Sequence, residues 1–193
     1  MYLGSKYPIK HQSSIDRSDY LSDETAYANT VDEILDAQGS KFINLVTMQN
    51  HFPYDKNHYD GKEKYAASGK AVTNDDVRGM VEEYVMGLHY TDEAVKNFIE
   101  KIDSINKPIT FVFYGDHLPG IYWDANYNNI LHQTDYFIYS NKYARRHLGS
   151  RIYKQYDLVA PTDFMSLVQK QTLTKTTPYS ACLLYTSDAA DEL

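Results

Sequence analysis

Between residues 74 and 104 apolar side chains recur at steps of three and four. Val77, Met80, Val81, Tyr84, Val85, Leu88, Val95, Phe98, Ile99 and Ile102 fall on one stripe. This period predicts a long amphipathic helix, with Thr91-Asp92 offering a local cap at which it restarts. A shorter stripe, Tyr27, Thr30, Val31, Ile34 and Leu35, follows Ser22-Asp23-Glu24, a hydroxyl cap with two acids at the positive end of the helix dipole. It predicts a helix over 23–37, ended by Gly39. Two runs lack the helical period. KFINLVTM (41–48) and the apolar run 109–114 are short and rich in apolar and β-branched residues, and both predict buried strands. TDYFIYS (134–140) predicts a third strand, and Pro161-Thr162-Asp163 opens a last helix to about residue 170. Residues 1–20 read as an irregular lead-in, 54–74 as a polar loop, 119–132 as a loop with a short helical turn carrying Trp123, and 141–157 as mixed and basic.

Two near-continuous apolar strands joined by a long helix make a βαβ unit, so the class expected is α/β, with a mostly parallel sheet flanked by helices. A right-handed crossover would make the two strands parallel, and ligands of such sheets bind beyond the carboxyl ends of the strands. His51 follows the first strand, and Asp116 and His117 follow the second. The topology therefore predicts all three at one sheet edge. Neighbouring strand residues point to opposite faces, so Asp116 and His117 share an ion only if the chain leaves strand geometry, as Gly115 permits. An oxygen and a nitrogen donor suit Mn²⁺ or Zn²⁺, and Mg²⁺ less well. Two ligands do not complete a site, and further residues must contribute. His11, His58, His89, His132 and His147 have no comparable placement.

Composition narrows the function. With 193 residues there is about one domain's worth of chain. A net charge of −7, with Arg145-Arg146 as the densest basic spot, excludes a nucleic-acid footprint. One cysteine, Cys182, excludes an internal disulfide framework and a cysteine-based zinc site. There is no apolar run of membrane-spanning length and no basic-then-apolar N-terminal signal. Nineteen tyrosines suit half-exposed surfaces that meet hydroxyl-bearing ligands.

The motifs VTMQNHFPY (46–54) and FVFYGDHLPG (111–120) occur in order with Ser22-Asp23-Glu24, YVMGLHYTDEAVKNFIEKI (84–102) and TDYFIYSN (134–141). Over roughly 20–180 this set resembles the lipoteichoic acid synthase-like phosphoglycerol transferases of the sulfatase and alkaline phosphatase superfamily. The resemblance implies a sulfatase-like catalytic domain in a membrane-anchored parent facing the outside of the cell, in a Gram-positive bacterium. It implies a threonine nucleophile that moves glycerol phosphate from phosphatidylglycerol to a polymer or glycolipid. It further implies one divalent ion, Mn²⁺ or Mg²⁺ with Zn²⁺ also admissible, held by a glutamate, that threonine and the Asp-His of the GDH motif. Asp116 and His117 are then metal ligands, and His51 faces the substrate phosphate and assists proton transfer. The family's glutamate and threonine lie well upstream, and no counterpart precedes Met1. Thr47, in the strand beside His51, does not match the nucleophile's place. The expectation is an incomplete domain, its N-terminal half a missing partner, inactive alone: lead-in 1–20, partial catalytic domain 21–180, and a tail, 182–193, whose abrupt change to CLLYTSDAADEL reads as non-native sequence of sequencing-adapter type. Two other readings stand beside it. One is a sulfatase or phosphoethanolamine transferase, disfavoured by Leu118-Pro119 after His117. The other is a non-catalytic module that binds an envelope polymer through its tyrosines.

Overall fold

The computed structural model describes residues 9–54, 58–60, 65–122, 132–152 and 158–183. The expectations for Trp123, for residues 1–8 of the lead-in and for residues 184–193 of the tail lie outside the described residues. The chain divides into two compact units: residues 1–101 with 118–127, and residues 102–117 with 128–193.

In the first unit, helix α1 covers Asp23–Asp36. Ser22 caps it as the sequence predicts: its Oγ accepts from the Thr25 backbone N–H at 3.1 Å. The helix ends at Ala37, which turns to extended backbone before Gly39 is reached. Tyr27, Thr30 and Val31 of the predicted stripe are buried, whereas Leu35 is exposed. Helix α2, Asp75–Asp103, is capped by Asn74, whose Oδ1 accepts from the backbone N–H groups of Asp76 and Val77 at 3.0 and 2.9 Å. It runs through Thr91 without restarting. Its buried face passes through Met86, Thr91, Ala94, Val95 and Phe98, with Leu88 turned out. Tyr27 stacks on Phe98, ring centroids 4.6 Å apart, and joins the two helices.

The predicted strand at 41–48 is not one. The segment has no strand pairing among the described residues, and Phe42, Leu45, Val46 and Met48 are exposed. Its β-prone composition has no neighbouring ladder to satisfy its backbone, and propensity without a partner does not make a strand.

In the second unit, β1 (Thr110–Tyr114) pairs with β2 (Tyr136–Ser140) antiparallel, Val112 opposite Ile138. The mostly parallel sheet expected from a βαβ unit is therefore replaced, among the described residues, by a two-stranded antiparallel one. The 110–114 strand pairs with the next apolar run along the chain, 136–140. Phe113 stacks on Phe137 across the pair at 5.2 Å. Helix α3, Lys142–Leu148, was not expected; Asn141 caps it and Gly149, at φ 71°, closes it. Helix α4, Phe164–Thr172, follows a short 3₁₀ turn at Pro161–Asp163, close to the predicted start. Phe164 lies against both Tyr114 and Tyr136, at 5.0 and 5.2 Å. Ile102, Ile138, Ala144 and Leu167 form the core of this unit. No helix among the described residues is long and apolar enough to cross a membrane.

Candidate active site

The second unit carries the Asp-His pair. Asp116 and His117 follow β1 directly, and the Asp116 Oδ1 lies 3.6 Å from the His117 Nε2. Two donors bound to one ion at about 2.1 Å each stand roughly 3–3.5 Å apart, so the pair needs little movement to share a cation. Both side chains are exposed. The glycine before them is required for a reason other than the expected turn. Gly115 has no positive φ, but a Cβ there would lie 2.6 Å from the Thr134 Oγ1. Among the described residues no cluster of three or more His, Cys, Asp or Glu gathers around them.

His51 belongs to the first unit, in the turn that follows Met48, where its backbone N–H donates to the Met48 carbonyl at 3.0 Å. Its Nδ1 lies 2.7 Å from the Phe52 carbonyl oxygen. A carbonyl only accepts, so Nδ1 carries the proton and the neutral ring has its lone pair on Nε2. Tyr20 braces this arrangement: its hydroxyl donates to the same carbonyl at 3.1 Å, and its ring meets the imidazole edge-on at 5.8 Å. The Phe52-Pro53 bond is cis. A shallow depression lies beside His51, lined also by Tyr54, His58, Tyr59, Glu83 and Tyr84. Burial pushes the Tyr54 hydroxyl up to about 12, against a hydrogen bond from the Gly120 backbone. That bond ties the residues after GDH to the NHFPY motif within the first unit.

A buried carboxylate belongs to the residue whose backbone N–H holds Gln49, two residues before His51. Asp23 is 1% exposed, and its Oδ2 accepts from the Thr91 hydroxyl at 2.6 Å. Burial raises its pKa, opposed by the hydroxyls of Thr91 and Thr47. The sequence placed Asp23 as a helix-dipole acid and Tyr20 in an irregular lead-in; neither position carries a pattern that marks it as a neighbour of the 47–51 segment.

Residues 2–168 match the Sulfatase family. The chain belongs to the sulfatase family. A solved structure of Streptococcus pyogenes phosphoglycerol transferase GacH in complex with sn-glycerol-1-phosphate superposes with a TM-score of 0.74 at 34% identity, covering 96% of this chain and 46% of that one. The fold of this chain is therefore sulfatase-like, as its motifs implied. The chain is 30% identical over 102 residues to the capsular polysaccharide biosynthesis protein RkpI of Rhizobium meliloti. It is also 24% identical over 115 residues to lipoteichoic acid synthase 1 of Bacillus subtilis. These matches take in 52% and 58% of the chain and 16% of each relative. The chain thus spans under half the length of the solved relative, and the matches to the curated relatives take in about a sixth of theirs.

Proposed function

We propose that this sulfatase-family chain is the C-terminal part of a metal-dependent phosphoglycerol transferase that moves glycerol phosphate from phosphatidylglycerol to a cell-envelope glycan or glycolipid. Its parent would be anchored in the membrane with the catalytic domain outside the cell. The observation that carries this reading is the Asp116–His117 corner, in a chain alike over nearly its whole length to a phosphoglycerol transferase bound to sn-glycerol-1-phosphate. The envelope acceptor is supported by relatives named for lipoteichoic acid and capsular polysaccharide.

Asp116 and His117 would hold one divalent ion, Mn²⁺ or Mg²⁺ with Zn²⁺ admissible, completed by residues outside this chain. When bound, such an ion neutralises phosphoryl oxygens and lowers the pKa of an attacking hydroxyl. His51 works from its Nε2. As the neutral ring it accepts a proton from an incoming hydroxyl, and as imidazolium it donates to the phosphate or the departing diacylglycerol oxygen. With its Nδ1–H committed to Phe52, the ring presents one nitrogen for both steps. The nucleophile is supplied from outside this chain, so the chain alone turns nothing over.

The test uses the full-length parent, assayed for glycerol phosphate released from phosphatidylglycerol, with bound metal measured alongside. His117→Ala and Asp116→Asn are expected to lose both activity and metal, and His51→Gln to lose activity while keeping metal. Full activity and metal content in His117→Ala would overturn the assignment. Faster release from a sulfate ester or phosphatidylethanolamine would move the chain to another branch of the superfamily.

A further inference from the structure

Gly87 and Thr91 stand one turn apart on the buried face of α2, and the two residues that precede His51 are seated on them. The Thr91 hydroxyl donates to Asp23 Oδ2 and accepts from Gln49 Nε2 at 3.1 Å and from Asn50 Nδ2 at 2.7 Å. One proton and two lone pairs are all a hydroxyl offers, so Thr91 is fully used. Gln49, 3% exposed, is used as completely. Its Oε1 accepts from the Asp23 backbone N–H at 2.9 Å, and its Nε2 also donates to the Gly87 carbonyl at 3.0 Å. The backbone of the same pair is held from the other side: the Tyr59 and Tyr54 hydroxyls donate to the carbonyls of Gln49 and Asn50 at 3.3 and 2.9 Å. Gly87 gives the clearance, because a Cβ there would lie 2.3 Å from Asn50 Oδ1.

We propose that Thr91 is a positioning residue for His51, acting through Gln49 and Asn50, with the bare backbone of Gly87 setting how closely that loop seats on α2. Three partners converge on one hydroxyl, and the chain has only one peptide bond between this anchored pair and the imidazole. His51 therefore inherits its place from a helix some forty residues away in sequence. The functional weight of this seat rests on the reading of His51 as a catalytic group; the seat itself does not.

The experiment reads the imidazole directly on the 193-residue chain, by nitrogen-detected tautomer and pH titration of the His51 ring, with His51→Gln giving its assignment. Wild type is expected to show the Nδ1–H tautomer that the Phe52 contact requires. Thr91→Val, which keeps the shape and removes the hydroxyl, should lose that single-tautomer pattern, and Thr91→Ser should restore it. Gly87→Ala covers the case in which Thr91→Val fails to fold, since alanine favours the helix while its methyl pushes on Asn50. It should keep α2 and disturb the His51 signals. Wild-type His51 signals in folded Thr91→Val, or in Gly87→Ala, overturn the proposal. If these variants move His51 while His51→Gln leaves the parent's transfer activity intact, the catalytic reading falls and the positioning stands.

Discussion

Asp23 and Asp103 are both carboxylates with little exposure, and they titrate in opposite directions. Burial raises the pKa of Asp23, and the Thr91 and Thr47 hydroxyls only partly oppose it. Burial also pushes Asp103 up, but the Lys142 backbone N–H, the Tyr139 hydroxyl and the Lys142 ammonium outweigh it and bring its pKa down. Tyr139 donates to Asp103 at 2.9 Å, and the Lys142 Nζ lies 3.3 Å away. A raised folded-state pKa means folding favours the neutral acid. The Asp23 contribution is thus complete below the ordinary value of 3.8 and is lost as pH rises through the raised one. The lowered pKa of Asp103 works the other way: its contribution is present above 3.8 and is lost as pH falls through the lowered value. Thermal unfolding from about pH 3 to about pH 7 separates them. The melting temperature of Asp23→Asn minus that of wild type should grow as pH rises. The deficit of Asp103→Asn should be largest near neutrality and shrink in acid. Curves that stay parallel to wild type would refute both assignments. At this scale the sequence was only partly legible. His51, Asp116 and His117 stand out by residue type beside apolar runs, whereas Gly87, Thr91 and Gln49 are not apolar and drop out of any hydrophobic stripe, although all three are buried.

Among the elements, α1 and α2 could be read from helical periodicity, β1 and β2 from short runs of apolar, aromatic and β-branched residues, and α4 from the Pro161-Thr162-Asp163 start before it. Helix α3 could not. KYARRHL has no apolar stripe, and the helix depends on the residue in front of it. Asn141 is fully buried. Its Oδ1 accepts from the backbone N–H groups of Ala144 and Ile109 at 3.0 and 3.1 Å. Its Nδ2 donates to the carbonyls of Ile102 and Lys107 at 2.8 and 2.9 Å. One amide thus caps α3, satisfies the end of α2 and fixes the start of β1. Asn141→Ala should cost about 3 kcal/mol, since it leaves several buried backbone groups unpaired and removes a cap. Urea unfolding measures it; a loss under about 0.5 kcal/mol, the range of ordinary surface substitutions, would show that the network does not carry the unit.

For the whole molecule, the instructive mismatch is residues 41–48. The segment has the composition of a buried strand and the surroundings of a surface loop, with Phe42 82% and Val46 64% exposed. Lys41 pairs with Glu33 at its start, and the Met48 carbonyl accepts from the His51 backbone N–H at its end. Its ends are held, then, while its apolar middle is uncovered. The solved relative is more than twice as long as the part this chain matches, so we propose that the segment becomes a sheet strand only where neighbours from the rest of the parent domain pair with it. A hydrophobic extended segment without neighbours is a template for pairing with another copy. The isolated chain should therefore associate as its concentration rises, through 41–48. Val46→Lys places a charge in the middle of the seam without touching the core formed by Tyr27, Val31 and Phe98. Sedimentation velocity should show wild type moving to larger species with concentration and Val46→Lys remaining monomeric, with the same melting temperature. If Val46→Lys associates as wild type does, the exposed strand is not the seam. If wild type stays monomeric throughout, the uncovered face is tolerated and the segment is a loop by nature.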